Sequence, residues 1–398
     1  MKTNTQLIQE KTRTLTAALW VLAALGLCSA KTTTRADNGL DHQVLQSLPI
    51  SLGTSGGNAN SVNLTVTPTR CCSGTLGGLV QDQAGNQYIL SSNWTMARSN
   101  EGQIGDDITQ PGLRDACGQP LGPYNVVADL SAFVPINFKN NKAPYNYVDA
   151  AIALVRPGAV DSTGSILDIG RVSHLTLAPS LGLAVKKSGR GTGLTVGTIA
   201  AINVSVDIGF ATGCNTATRL NARLVNQFKI GTAGFTVMTS DSGALVVADE
   251  ANPPRPVGIA CAVGSGGTIA SPIDTVLAQL SLRLGSTLSF PNVSSLVGAA
   301  TTAGTVESLS TAPSASAVVE NLISGINLER ARMAQERHFE ALFNVQDVVG
   351  HGIGLSEEGE PTIEVYLRRE NARSRARIPA ALNEVPVRVI VTGPFTAN

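Results

Sequence analysis

Short apolar runs separated by turn residues dominate the chain between residues 63 and 282. Runs rich in Val, Ile, Leu and Thr recur at 74–80, 87–90, 150–155, 193–202, 228–230, 244–247 and 257–261, with Gly, Asn, Pro and Asp between them. Short strands with turn residues at roughly regular spacing are typical of all-β sandwiches and barrels. Apart from residues 273–284, no long stretch in this region repeats at helical period. The pattern therefore predicts a mostly β fold for residues 51–283.

The pattern changes beyond this region. Residues 284–318 are rich in Ser, Thr, Ala and Gly, which predicts a linker because such a composition buries little apolar surface. Residues 321–345 then carry apolar positions at helical spacing, and 348–355 and 362–367 alternate around an acidic turn. A short helix within 372–381 and a strand at 385–391 complete the prediction of a small α+β C-terminal domain over residues 319–398.

The N-terminal end predicts export. In residues 1–30, basic residues precede an apolar run at 15–27, and the small residues after it suit a cleavage site. One alternative is a membrane anchor, but the run is short for a bilayer span; another is lipid attachment at Cys28, which Leu27 disfavours. Residues 31–50 are expected to form a loosely held leader. We expect an exported protein, secreted or periplasmic, without stable membrane insertion after cleavage.

Charge and cysteine content narrow the possible partners. Lys plus Arg and Asp plus Glu each total 29, so no net field favours nucleic acid. Five cysteines remain after cleavage, and in an oxidising compartment an odd count leaves one unpaired; they are Cys71, Cys72, Cys117, Cys214 and Cys261. Their spacing does not fix the pairing. We expect Cys71 or Cys72 to pair with Cys117 and Cys214 with Cys261, and neither a metal site nor a cofactor.

Two segments carry the candidate chemistry. Asp241-Ser242-Gly243, followed by an apolar run at 244–247, suits a tight turn that presents a nucleophilic serine and then enters a strand. The segment at 88–94 ends in Trp94. On its own the serine motif is weak, because a serine in a turn before a strand is ordinary.

Four segments in one order make the serine motif more specific: 71–100, 146–155, 185–202 and 235–247. They resemble a bacterial group of exported trypsin-like serine peptidases, akin to the plant narrow-leaf serine proteases, and the segment at 379–393 resembles the extra C-terminal domain of some members. The resemblance implies a chymotrypsin/trypsin-like fold with two β-barrels and a small α+β C-terminal domain. It also implies a protein or peptide as substrate or ligand, without a cofactor.

The resemblance also assigns positions. Ser242 lies at the nucleophile, Asp149 at the triad carboxylate and Trp94 where the family has its catalytic histidine. Ser242 and Gly243 would contribute to the oxyanion hole, in a loop that includes Asp241, while Ser240 replaces the first glycine of the family's Gly-Asp-Ser-Gly pattern. An alternative for Asp149 is a buried carboxylate that is satisfied by backbone N–H groups without any catalytic use.

The departure at Trp94 decides the functional prediction, because an indole N–H only donates and cannot take a proton from serine. Of the four histidines, His174 is the sole one in the barrel region, and we expect it to be at the surface or hydrogen-bonded rather than within reach of Ser242. The favoured function is a peptidase homologue that is impaired or inactive and binds peptide segments. Two alternatives are an active serine endopeptidase with an unconventional base and an interaction protein working through its C-terminal domain.

Overall fold

The computed structural model describes residues 41–63, 70–117, 121–138, 143–233, 239–250, 253–292 and 315–397. The predicted export signal, the first part of the leader and most of the predicted linker lie outside these residues. Within the described ranges, no helix combines the length and the hydrophobicity that crossing a bilayer requires.

The first barrel is built from short antiparallel strands. They are β1 (Thr54–Asn58), β2 (Val62–Asn63), β3 (Arg70–Cys71), β4 (Gly74–Leu76), β5 (Gly78–Gln81), β6 (Gln87–Ser91), β7 (Asp107–Gln110), β8 (Asn125–Phe133) and β9 (Ala151–Val155), with helix α1 (Asn93–Ala97) after β6. Seven of them form one sheet in the order β4-β1-β7-β8-β9-β6-β5, and β2 pairs with β3. Because only Gly77 separates β4 from β5, the two ends of this sheet meet, and the sheet closes around an apolar core.

The second barrel contains two long strands and four shorter ones. They are β10 (Ala184–Gly189), β11 (Gly193–Thr212), β12 (Asn215–Ile230), β13 (Leu245–Ala248), β14 (Pro256–Gly264) and β15 (Gly267–Pro272), followed by helix α2 (Ile273–Leu284). Their order is β10-β13-β14-β15-β12-β11, and β10 also pairs with β11, which closes the barrel. The predicted mostly β fold with two barrels is therefore confirmed.

The C-terminal elements follow the predicted helix-strand-strand-helix-strand order. They are α3 (Ala315–Arg337), α4 (Phe339–Phe343), β16 (Val348–Leu355), β17 (Pro361–Leu367), α5 (Ala372–Arg377), β18 (Ala381–Leu382), β19 (Val385–Val391) and β20 (Phe395–Ala397). The sequence did not predict that β16 pairs with β11, which makes β16, β17 and β19 an extension of the second barrel's sheet. The last strand, β20, was not predicted either.

The described part of the leader is packed against the first barrel. His42 is 1% exposed and hydrogen-bonds through Nδ1 with the Gly53 carbonyl at 2.8 Å and through Nε2 with Asp168 at 3.0 Å. Ile50 is fully buried and pairs with Val160. The expectation of a loosely held segment is wrong for residues 41–50, because His42 and Ile50 are buried against the barrel and Gln46 hydrogen-bonds with Gln110, although Val44, Leu45 and Leu48 are exposed.

A buried ion pair joins β12 to β17. The Lys229 ammonium lies 2.7 Å from Glu364, and both side chains are at most 4% exposed. Burial raises the pKa of Glu364, but the charge of Lys229 and hydrogen bonds from Lys229, Arg388 and Tyr366 outweigh it and leave that pKa below its ordinary value. The carboxylate is therefore charged in the fold and holds the C-terminal strands to the second barrel.

Glu364→Gln should lower the free energy of unfolding by about 3 kcal/mol, because it leaves the buried Lys229 ammonium without a carboxylate. Urea unfolding followed by circular dichroism measures the change. The matched control is Arg156→Gln, which removes two ion pairs, to Asp107 and Asp129, from a guanidinium that is 40% exposed and should cost less than about 1 kcal/mol. Equal losses in the two variants would contradict the assigned importance of the buried pair.

Candidate active site

Trp94 lies at the start of helix α1, directly after the strand β6. Ser92 begins this helix by accepting a hydrogen bond from the Thr95 N–H at 3.2 Å, a standard N-terminal cap. The indole is 8% exposed and belongs to an apolar cluster with Ile136 and Phe210. Trp94 is therefore a packed residue between the two barrels.

The space beside the indole is small. A cavity of about 10 Å³ is lined by Ser61, Cys72, Trp94, Arg98, Ala211, Gly213 and Cys214. That volume is close to the least that can hold one water molecule. This cavity has no room for a substrate side chain.

Asp149 is fully buried beneath Trp94. Its Oδ1 accepts the backbone N–H of Trp94 at 3.3 Å, and within the described residues its Oδ2 has no hydrogen-bond partner. Burial raises the pKa of Asp149 from its ordinary 3.8 to about 7, against the lowering effect of the Trp94 and Asn93 backbone N–H groups. The Asp149 carboxylate thus contacts Trp94, as its predicted position implies, but it does so through the backbone N–H of Trp94 and not through the indole.

Ser242 sits in a loop that both barrels hold. Its carbonyl accepts hydrogen bonds from the Thr75 N–H at 2.9 Å and from the Thr95 hydroxyl at 3.1 Å. A Cβ on Gly77 would lie 2.0 Å from the Gly243 carbonyl, so only glycine allows the approach of the first barrel at that point. The loop is therefore fixed by contacts that leave little space around it.

The Ser242 hydroxyl donates to the carbonyl of Cys261 in β14, at 2.9 Å. The side chain is 4% exposed. This acceptor was missed by the sequence analysis, because a backbone carbonyl carries no residue signature. The geometry gives the hydroxyl a hydrogen bond but no basic group.

Gly243 has a φ of +92°, which favours glycine, and its N–H donates to the Ala260 carbonyl at 2.8 Å. We expected this N–H to contribute to an oxyanion hole. In the structure it is hydrogen-bonded within the fold and does not point to an oxyanion site. Ser240, at the position of the family's glycine, is partly buried, and its carbonyl accepts from the Thr75 hydroxyl at 3.2 Å.

Asp241 joins the serine loop to the turn between β10 and β11. It is fully buried and accepts the N–H groups of Gly191 at 2.8 Å and Thr192 at 3.2 Å, together with the Thr192 hydroxyl at 2.8 Å. The equally buried Lys187 ammonium lies 3.5 Å from it. Two segments of the sequence resemblance, 185–202 and 235–247, therefore meet at this carboxylate.

The four histidines all lie in described residues, and none is hydrogen-bonded with Ser242. His42 is held in the leader, His338 contacts Asn383 at 2.9 Å, and His174 is exposed. His351 is buried, accepts from Gln335 at 2.9 Å, and has a pKa lowered to about 3 by burial and by the charge of Arg223. His174 thus lies at the surface, which is one of the two alternatives that the sequence predicted.

The disulfides differ from the expected pairs in one case. Cys71 pairs with Cys117, as one of the two options anticipated, but Cys72 pairs with Cys214. The predicted link between Cys214 and Cys261 is wrong. Cys261 is buried in β14, where its thiol contacts the Ile269 carbonyl at 3.3 Å. Cys214 lies elsewhere, in the turn between β11 and β12. Cys261 is the one unpaired cysteine of the described residues, and the bond from Cys72 fastens the tip of the β11–β12 hairpin to the first barrel.

Burial, together with the negative charge of Asp149, raises the pKa of the Cys261 thiol well above its ordinary value. The thiol therefore stays protonated and offers neither a base nor a nucleophile beside Ser242. No group of three or more His, Cys, Asp or Glu side chains in the described ranges is arranged to hold a metal ion.

Comparisons with known proteins give only distant likenesses. No protein-family model matches the chain, and no curated protein matches it in sequence. Among solved structures, a glutamic acid specific serine protease is 18% identical over 57% of this chain and 96% of its own, with a TM-score of 0.36. Nocardiopsis protease is 15% identical over 59% of this chain and 97% of its own, with a TM-score of 0.35. Thermobifida fusca protease A is 16% identical over 60% of this chain and 97% of its own, with a TM-score of 0.34.

These solved structures are serine proteases, but at such scores the likenesses carry no argument about activity or substrate. The fold assignment is based on the strand pairings described above. These pairings form the mostly β, two-barrel architecture of chymotrypsin-like serine proteases, and the C-terminal α+β elements extend it.

Asp149→Asn should change how stability depends on pH. Because the folded-state pKa of Asp149 is raised to about 7, the fold favours the neutral acid, and this contribution is complete below about pH 4 and lost as pH rises through 7. The permanently neutral Asn should therefore raise the free energy of unfolding at pH 8, by on the order of 4 kcal/mol, with little effect at pH 4. Urea unfolding at the two pH values measures it, and a gain that is equal at both would contradict the assigned cause.

Proposed function

We propose that this chain is a trypsin-like serine peptidase homologue in which Ser242 is not activated for hydrolysis and which binds extended peptide or protein segments. The observation that carries the proposal is the hydrogen bond from the Ser242 hydroxyl to the Cys261 carbonyl. The sequence resemblance supports it, because it puts Trp94 at the position of the base. The proposal concerns the loss of one chemical step and leaves the scaffold intact.

Serine attack on a peptide needs a neutral imidazole that removes the hydroxyl proton and a carboxylate that orients this imidazole. A peptide carbonyl accepts a hydrogen bond but is far too weak a base to take the proton, and an indole N–H can only donate. Loss of the base costs a factor on the order of 10⁶ in turnover, which leaves roughly 10³–10⁴ over the reaction in water. Ser242 is thus expected to behave as an ordinary serine hydroxyl.

The alternative of an active endopeptidase requires another base within about 3 Å of the Ser242 hydroxyl. Three of the four histidines have hydrogen-bond partners elsewhere, and the fourth, His174, is exposed. The alternative in which the C-terminal domain alone carries the function is disfavoured by the pairing of β16 with β11 and by the buried pair of Lys229 with Glu364. Both observations favour a function that uses the barrels and the C-terminal strands together.

We also propose that the protein works outside the cytoplasm. Its two disulfides suit an oxidising compartment, and the sequence of residues 1–30 has the pattern of an export signal.

A fluorophosphonate probe, which labels activated serines, tests the function directly. The wild type should be labelled at least about 10⁴-fold more slowly than a trypsin-like enzyme measured beside it, because its hydroxyl has no base. Trp94→His places an imidazole next to Asp149 and should increase the labelling rate. The rate is read by mass spectrometry of the intact protein.

The matched control is Trp94→Phe, which opens similar space without supplying a base and should leave the rate unchanged. Ser242→Ala should abolish labelling in every background. Labelling of the wild type at enzyme rates, removed by Ser242→Ala, would refute the proposal.

A further inference from the structure

The last strand of the chain lies between two strands of the second barrel. In β20, Thr396 pairs antiparallel with Val263 of β14. On its other side, β20 pairs in parallel with β11, where Ile208, Gly209 and Phe210 are opposite Phe395, Thr396 and Ala397. A three-residue segment thus fills a slot with hydrogen-bonding backbone on both sides.

This slot borders Ser242. The strand β13 pairs with β14 only up to Ile259, and the loop before β13 bonds to Ala260 through Gly243 and Ala244. The next carbonyl along β14, that of Cys261, accepts the Ser242 hydroxyl. Val263 is two residues farther, or about 7 Å along the strand. Because β20 is antiparallel to β14, the tail runs from Val263 towards Cys261.

The tail is seated by its side chains as well as by its backbone. Phe395 is 1% exposed and Ala397 is fully buried, whereas Pro394 before them is exposed. A Cβ on Gly264 would lie 2.9 Å from the Phe395 ring, so the glycine is what lets the ring lie against β14. The ring also meets Tyr366 of β17 edge-on, with centroids 6.1 Å apart, and shares an apolar cluster with Trp94.

The C-terminal elements bring the tail to this slot. The strand β16 pairs with β11 at Ile202, Ser205 and Val206. The strand β20 pairs with the next part of β11, from Ile208 onward. Thr392, just after β19, donates its N–H to the Leu367 carbonyl at 2.9 Å and so fixes the point from which the tail returns. The tail is therefore tethered close to the slot at a high effective concentration.

We propose that the slot between β11 and β14 is a peptide-binding site of this protein, and that residues 395–397 occupy it as an internal ligand that keeps external peptides out. Addition of a strand to an open edge takes its affinity from backbone hydrogen bonds and its selectivity from pockets for alternate side chains. The occupant from outside is an extended peptide with the chemistry of the tail, an aromatic residue followed two positions later by a small one. This proposal rests on the proposed function, since it specifies how peptide binding beside Ser242 is controlled.

The experiment compares the full chain with a chain ending at Gly393. The probe is a fluorescein-labelled peptide with the sequence of residues 393–398, and binding is followed by fluorescence polarisation. The truncated chain should bind it at least roughly tenfold more tightly than the full chain, because the tethered competitor is gone. In the full chain, Phe395→Ala should increase peptide binding, and the matched control Val391→Ala, at a side chain 41% exposed, should not. A peptide with Phe replaced by Ala should bind more weakly.

Hydrogen exchange in the intact chain tests the same idea without truncation. The amides of residues 395–397 should exchange through local release, much faster than those of β14 and β11, and excess peptide should speed them further. Exchange of the tail only together with global unfolding would overturn the proposal, as would equal peptide binding by full and truncated chains. If instead the truncated chain reacts with fluorophosphonate at enzyme rates, the proposed function fails while the assignment of the tail stands.

Discussion

The hydrogen bond between the Ser242 hydroxyl and the Cys261 carbonyl is the interaction on which this account depends. A serine becomes a nucleophile only when its hydrogen-bond acceptor is also a base, and a peptide carbonyl is not one. The carboxylate that would orient a base, Asp149, is buried with one oxygen on the Trp94 backbone N–H and the other without a partner in the described residues. Burial raises the pKa of Asp149 to about 7, and no cation or imidazole of the described residues pairs with this carboxylate.

The loop around Ser242 is held by contacts that take no part in proton transfer. Asp241 holds the turn between β10 and β11 to the serine loop through Gly191, Thr192 and Lys187. Thr75 and Thr95 of the first barrel bond to the Ser242 carbonyl, and Gly77 permits the close approach of the two barrels. None of these contacts requires a base beside Ser242, and the edge of β14 next to Ser242 pairs with a further strand. In this molecule the chain's own last strand, β20, is paired there.

Much of the architecture could be predicted from the sequence because strand-forming runs and turn residues are local signals. The runs at 87–90 and 150–155 became β6 and β9, and the alternating segments at 348–355 and 362–367 became the hairpin of β16 and β17. The partners of Cys214 and Ser242 could not be predicted, since one depends on where a hairpin tip lies and the other is a backbone carbonyl. The strand β20 was missed for a similar reason: Gly393 and Pro394 are turn-forming residues, and only tertiary pairing makes the three residues after them a strand.

The dependence of Ser242 modification on pH tests the central claim most directly. Without a base, the rate at which fluorophosphonate modifies Ser242 should rise in proportion to hydroxide across about pH 5 to 9, with no plateau. Measurement in both the wild type and Asp149→Asn separates any effect of the carboxylate's own titration. A rate that levels off above an inflection near neutral pH in both proteins would reveal a titrating base at the hydroxyl and contradict the account.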